Sequence, residues 1–225
     1  MKTKLILLIT ALGLTVASAQ ADLLISQYIE TNSGTTPKGI ELWNSGLTTI
    51  DFSVTNLDVL KGTNGGAPSS DFTLNVGTLL SGEVLVIGTT DIGTYLNATF
   101  GVGIIQYHEE GFTFNGDDSL VVNLDGTITD VFGEPGSDPG SSWDGSGVST
   151  RNQNIQLIES PSPITAGTLT GFTDPSTRFT IVSTDPNGAG GLTGFGVSPI
   201  PEPSSIVLMT LVGLAAVVNL RKRKK

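Results

Sequence analysis

A chain of 225 residues allows one or two domains, and its lack of cysteine excludes disulfides, thiolate metal sites, cysteine nucleophiles and thiol redox chemistry. The formal charge of −10 is unevenly spread, with two of the eleven cations in the first four residues and five closing the chain. Between residues 20 and 200 only Lys38, Lys61, Arg151 and Arg178 stand against twenty acids, a net charge of −16 that repels phosphates and argues against a nucleic acid partner.

Lys2 and Lys4 precede an apolar stretch over 5–16 and then Ala17-Ser18-Ala19. A positive n-region, an apolar h-region and a small-x-small site form a secretory signal peptide, 1–19, with cleavage after Ala19 and Ala21 as an alternative. Beyond it the chain reads as short apolar runs broken by Gly, Asn, Asp and Pro, with no helical periodicity. Strands are predicted over 23–29, 39–43, 57–60, 72–76, 84–87, 104–107, 119–123, 127–132, 154–158 and 178–181. Residues 83–87 are almost wholly apolar, as in a central strand covered on both faces. Asp125-Gly126, between two of these runs, suits a type I′ hairpin turn. Ile40, Leu42, Val84, Val86, Leu120 and Val122 fall at strand periods and are core candidates. Many short strands with frequent turns indicate a sandwich or barrel; a β-solenoid is disfavoured by the lack of a fixed repeat. Residues 160–200 are looser, and by composition alone their last part reads as a linker.

Sites with recognisable chemistry are few. The single histidine, His108, precedes Glu109 and Glu110, but Phe112 stands where a zinc helix needs its second histidine, and no G-x-S-x-G elbow accompanies it. It reads as a polar residue at a strand end or loop. The glycines at 101–103 and 187–191 do not extend into a phosphate-binding pattern. Two acidic clusters, Asp117-Asp118 and the stretch from Asp138 to Asp144, are calcium candidates because calcium takes six to eight oxygens, although neither has the register of an EF-hand loop. Twenty acids also guarantee chance carboxylate pairs, so a glycosidase-like pair is uninformative here. No other cofactor is expected, and the reading is of a protein that is not an enzyme. The alternatives are a secreted glycan- or calcium-binding module and a carboxylate-based hydrolase.

Two resemblances add to this reading. Leu24-Ile25-Ser26-Gln27-Tyr28-Ile29-Glu30 followed by Lys38-Gly39-Ile40-Glu41-Leu42-Trp43-Asn44 resembles the opening of bacterial lamin-tail domains. The run from Phe114 through Asp117-Asp118, Asp125-Gly126, Asp130 and Asp138-Pro139-Gly140 to Trp143 is similar to the family's middle. Asp174-Pro175-Ser176 with Phe179, and the glycines 191–196, resemble its close. Gln27 and Phe179 depart from the pattern, which carries Glu and Trp there. The resemblance covers about 22–197 and implies an all-β, immunoglobulin-like β-sandwich of lamin-tail type, a domain over 20–197 that includes the linker-like segment, and a surface or secreted setting. It implies no activity. Trp143 is expected to pack under the Asp138–Gly140 turn.

The chain closes with Pro201-Glu202-Pro203, an apolar run over 206–220 and the cations Arg221, Lys222, Arg223, Lys224 and Lys225. Seventeen residues of helix, counting Ser204 and Ser205, span about 25 Å, just short of a hydrocarbon core. The positive-inside rule leaves the cations in the cytoplasm and the body outside. The three elements in this order, over 198–225, resemble the PEP-CTERM sorting signal. That resemblance implies a Gram-negative bacterium that makes exopolysaccharide, and removal of the tail by exosortase, a membrane-embedded protease. Together these readings describe an exported surface or matrix module. It passes through a single-span inner-membrane intermediate and has a structural or adhesive role among exopolysaccharide or matrix-protein partners.

Overall fold

The computed structural model describes residues 23–31, 35–160 and 162–199. The expected signal peptide with Ala17 and Ala19, the Pro201-Glu202-Pro203 motif, the apolar run and the cations 221–225 lie outside the described residues. Strands β1 (Leu23–Ile29), β2 (Gly39–Asn44), β3 (Ile50–Asp51), β4 (Leu57–Gly62), β5 (Ser69–Leu74), β6 (Thr78–Leu79) and β7 (Val84–Gly88) precede the one α-helix found among the described residues, α1 (Thr90–Phe100). Then follow β8 (Gln106–Glu109), β9 (Ser119–Leu124), β10 (Thr127–Phe132), β11 (Asp144–Gly145), β12 (Val148–Ser149), β13 (Asn154–Leu157) and β14 (Phe179–Ser183). No helix among the described residues is long and apolar enough to cross a membrane.

Two sheets carry the architecture. One has six strands in the order β14-β13-β1-β2-β7-β8, the other four in the order β10-β9-β4-β5. Side chains from both share one core: Tyr28, Ile40 and Leu42 meet Val59, Leu120, Val122 and Phe132. Tyr28 stacks on Phe132 at 4.2 Å and on Phe114 at 5.2 Å. Full burial of such a side chain contributes about 1.5–3 kcal/mol. All six core candidates are buried, but Val86 belongs to a second cluster, with Ile29, Ile92, Leu96 and Phe195. The six-stranded sheet is therefore covered on both faces, and β7 is buried throughout, as its apolar run predicts. In the β9–β10 hairpin, Asp125 (φ 49) and Gly126 (φ 85) both take the positive angles of a type I′ turn.

Helix α1 is a correction to the all-strand reading. Ile92, Leu96 and Phe100 recur at four-residue spacing, but Gly93, Thr94, Asn97 and Thr99 lower the local helix propensity and mask the period. The helix carries the chain from β7 to β8, which pair in parallel and so require a crossover. Asp91 in its first turn complements the helix dipole, and Gly101 at φ 103 ends it. Turns at Gly101 and Gly103 delay β8 to Gln106, two residues beyond the predicted start at 104.

The composition-based linker is a second correction. Phe172, Phe179 and Phe195 are buried, and β14 pairs with β13, so the segment belongs to the domain. Its low apolar content misleads because a few aromatic anchors do the packing. Trp143 is buried, but its ring lies against Gly133 and edge-on to Phe172 at 6.5 Å.

Candidate functional site at the C-terminal junction

The last described residues are stitched to the outer face of the six-stranded sheet, where the body meets the tail. A register shift at Ser26 in β1, and strand alternation in β2 and β13, aim Gln27, Glu41 and Asn154 at this face. Gln27 Nε2 donates to Thr193 O at 2.8 Å and to Asn154 Oδ1 at 2.7 Å. Asn154 Nδ2 donates to Gly191 O at 2.8 Å and to Thr193 O at 3.1 Å. The Gly196 N–H donates to Glu41 Oε2 at 2.6 Å, and Ser26 Oγ donates to Oε1 at 2.7 Å. Phe195, between these ties, is fully buried beside Leu96 and Val86. Gly196 (φ 85) lies so close to Phe100, Leu96 and Ile105 that a Cβ there would clash with the Phe100 ring.

Glu41 is buried, and its two hydrogen-bond donors are uncharged. Burial pushes its carboxyl up to about 8, opposed by the Ser26 hydroxyl and the Gly196 N–H. Two other deeply buried carboxylates, Asp130 and Glu30, are held differently. Arg178 grips Asp130 through both terminal nitrogens, at 2.7 and 3.3 Å, while the Ile25 and Thr168 N–H groups donate to the same carboxylate. Burial still pushes the Asp130 carboxyl up, against Arg178 and those N–H groups. Lys38 Nζ donates to Glu30 Oε1 at 2.8 Å, to Phe114 O at 2.8 Å and to Thr31 O, and the Asn152 N–H donates to Glu30 Oε2. Burial raises Glu30 as well, with Lys38 opposing. Two of the four body cations thus sit buried beside acids rather than on the surface.

Three of the calcium candidates, Asp117, Asp118 and Asp138, lie near enough for their charges to interact. Asp118 is buried, its oxygens accepting from the N–H groups of Asn64 at 3.0 Å and Asn115 at 2.9 Å. Asp117 is half-buried; burial pushes it up, and the charges of Asp118 and Asp138 add to that. Asp138 Oδ1 accepts from the Gly140 N–H at 2.7 Å, closing its own turn. Asp144 lies in β11 against the 175–177 turn and accepts from Ser142 Oγ at 2.8 Å. Among the described residues no three His, Asp or Glu side chains converge closely enough to hold a metal ion. An open groove of about 380 Å³ lined by Glu30, Asn115, Asp117, Ser141 and Arg151 runs past the first cluster. His108 stands within β8 opposite Ile87, its ring 6.0 Å from Phe72, and burial lowers its pKa toward the neutral form.

The network around Gln27, Glu41 and Asn154 was not evident from sequence. In Ile40-Glu41-Leu42, alternation places Glu41 opposite the core, which in an ordinary two-layer sheet means solvent. The available signal was Ile29 and Val86, apolar residues on the same outer face.

Residues 199–224 match the PEP-CTERM protein-sorting motif. The motif implies sorting by exosortase, a membrane protease, through a membrane-anchored intermediate to the cell surface. No curated protein and no solved structure matches the chain significantly. The junction described above is thus the last part of the body before the sorting motif.

Proposed function

We propose that the chain is an exported, non-enzymatic module of the cell surface or extracellular matrix, with a structural or adhesive role in an exopolysaccharide-rich envelope. The signal peptide is removed after Ala19. The run over 206–220 spans the inner membrane with Arg221 to Lys225 in the cytoplasm, and exosortase cleaves near Pro201. The body over 20–197 is an immunoglobulin-like sandwich of lamin-tail type, and its partners are exopolysaccharide or matrix proteins. The observation that carries this reading is the sorting motif at 199–224. The two sheets sharing one core support the sandwich. The fate of the polar side chains supports a passive scaffold: Glu30, Glu41, Asp118 and Asp130 each spend their oxygens on backbone N–H groups, hydroxyls or buried cations.

The test is the intact mass of the mature protein from membrane and extracellular fractions of its host. Extracellular material lacking both residues 1–19 and the segment beyond about Pro201 is the expected result. An intact C-terminus found only in membranes makes the tail a permanent anchor and overturns the sorting reading. Turnover of glycan or phosphoester substrates by the purified body would overturn the non-enzymatic one.

A further inference from the structure

The two longest stretches between residues 22 and 202 with no formal charge are residues 92–107 and residues 186–201. They are far apart in sequence, yet the fold brings them together. Gly196 abuts Leu96, Phe100 and Ile105, and Phe195 is buried in one cluster with Ile92 and Leu96, against which Tyr95, Tyr107 and Leu192 pack. The result is an uncharged face built of α1, the loop into β8 and the C-terminal segment. Acids stand around it: Asp91 in the first turn of α1, Glu109 at the end of β8, Glu83, which accepts from Gln106 at 3.5 Å, Asp185 before the C-terminal stretch, and the buried Glu41 beneath Gly196. At the tip of the face, Val102 is 85 % exposed and Ile104 68 % exposed, and Val197 beside the exit point is 55 % exposed.

We propose that this face lies on the lipid bilayer that holds the tail, with Val102 and Ile104 entering its interfacial layer. The inference rests on the membrane-anchored reading of residues 206–220. Seven residues, 199–205, separate the docked segment from the apolar run; fully extended they reach about 25 Å. A body of this size is about 40 Å across. The tether is shorter than the body, so the surface from which it leaves cannot face away from the membrane. Bacterial inner-membrane lipid carries negative charge, and an acidic body is repelled within a Debye length, about 10 Å at 0.1 M salt. The uncharged face lets this body approach. Because the tail already holds the chain at the surface, the contact is intramolecular in effect and a few apolar side chains suffice to orient it. The contact keeps the sorting motif at the membrane plane, where a membrane-embedded protease reads it.

The test uses the full chain reconstituted into phosphatidylethanolamine–phosphatidylglycerol vesicles containing brominated lipid, which quenches tryptophan at the interface. Trp43 and Trp143 are buried and supply a constant background. Val102→Trp places a reporter at the tip. Leu169→Trp is the control, also strongly exposed, at 69 %, but beside β10 on the other sheet, where the neighbouring Thr168 N–H bonds Asp130. Flotation of both variants with the vesicles, with quenching of the Val102→Trp reporter several-fold greater than that of Leu169→Trp, is expected. Flotation with neither reporter quenched, or with both quenched equally, overturns the orientation while leaving the anchored tail intact. Shielding of the Val102→Trp reporter from aqueous acrylamide that appears only in membranes containing the processing protease assigns the face to a protein and overturns the lipid proposal. Failure to float overturns the anchored-tail reading itself, and the orientation falls with it.

Discussion

Two of the ties that fasten the chain after residue 160 to the body use opposite chemistry. At the first, Arg178 carries a full positive charge to the buried Asp130, and the N–H groups of Ile25 and Thr168 complete the carboxylate's shell. At the second, the buried Glu41 holds Gly196 with no cation in attendance, only the hydroxyl of Ser26 and a backbone N–H. A charged clamp is costly to break by halves. A carboxyl held by neutral donors under desolvation favours its protonated form, so its grip depends on pH. The segment nearest the sorting motif is attached by the second kind.

The largest expected effect breaks the first fastening. Arg178→Ala leaves Asp130 buried without its counter-charge and should cost about 3–5 kcal/mol, read as a drop in the urea midpoint at constant slope. Arg178→Leu combined with Asp130→Asn removes both charges and should recover a large part of that loss. If Arg178→Ala alone is nearly neutral, the clamp contributes little.

The second fastening is sharpened by titration. Glu41 has its carboxyl pushed up to about 8 by burial, against an ordinary value of 4.5 in the unfolded chain. Between these values the folded state holds a proton that the unfolded state has released, so stability falls as pH rises from about 4.5 towards 8. The full contribution is present below 4.5 and is lost above 8. By linkage the loss is at most about 5 kcal/mol. Glu41→Gln keeps the acceptor for Gly196 and removes the titration. Its unfolding free energy should therefore be flatter between pH 5 and 9 than that of the parent, with the gap widening towards alkaline pH. Parallel pH profiles for the two proteins would mean that Glu41 does not titrate in this range.

A smaller change separates the donors of the second fastening from its acceptors. Gln27 Nε2 is a donor to two oxygens, Thr193 O and Asn154 Oδ1. Gln27→Glu replaces that donor with an acceptor facing both. The expected cost is about 1–3 kcal/mol near neutral pH, from unpaired buried acceptors, and smaller in acid as the new carboxyl protonates. Hydrogen exchange should locate the loosening at the backbone N–H groups of Thr193 to Val197 rather than in the β9–β10 hairpin.

The contrast between the fastenings also marks what the sequence disclosed. The hairpin at Asp125-Gly126 and the burial of Ile40, Leu42, Leu120 and Val122 were legible because turn chemistry and strand period are local. The apolar run of β7 also announced that both its faces are covered. What covers the outer one was not legible: α1 is rich in Gly, Thr and Asn, and the docked segment is rich in glycine. Both act through a few contacts, Ile92, Leu96 and Phe195, that become a cluster only in three dimensions. The partners of Glu41 and Asp130 lie 155 and 48 residues away, beyond any spacing rule. The sorting motif was the most legible feature, because its three elements follow one another directly along the chain.

The smallest expected effect concerns calcium at the first acidic cluster. A ligand that binds only the folded state must stabilise it by mass action, and the gain reaches about 0.4 kcal/mol when its concentration equals its dissociation constant. Here Asp118 has both oxygens committed to the N–H groups of Asn64 and Asn115, and Asp138 closes its own turn on Gly140. A cation at this corner would compete with those bonds, leaving Asp117 as the most available ligand, and calcium wants six to eight oxygens. Burial chiefly raises Asp117, but the like charges of Asp118 and Asp138 add to it and give a cation some advantage. Millimolar calcium should move the melting midpoint of the body by no more than about 1–2 °C, and Asp117→Asn should abolish that movement while leaving the pH profile of Glu41 unchanged. A rise of many degrees would mean that the turns at 115–118 and 138–140 rearrange around the ion. The acidic corner would then be a fastening of a third kind, made by a bound cation.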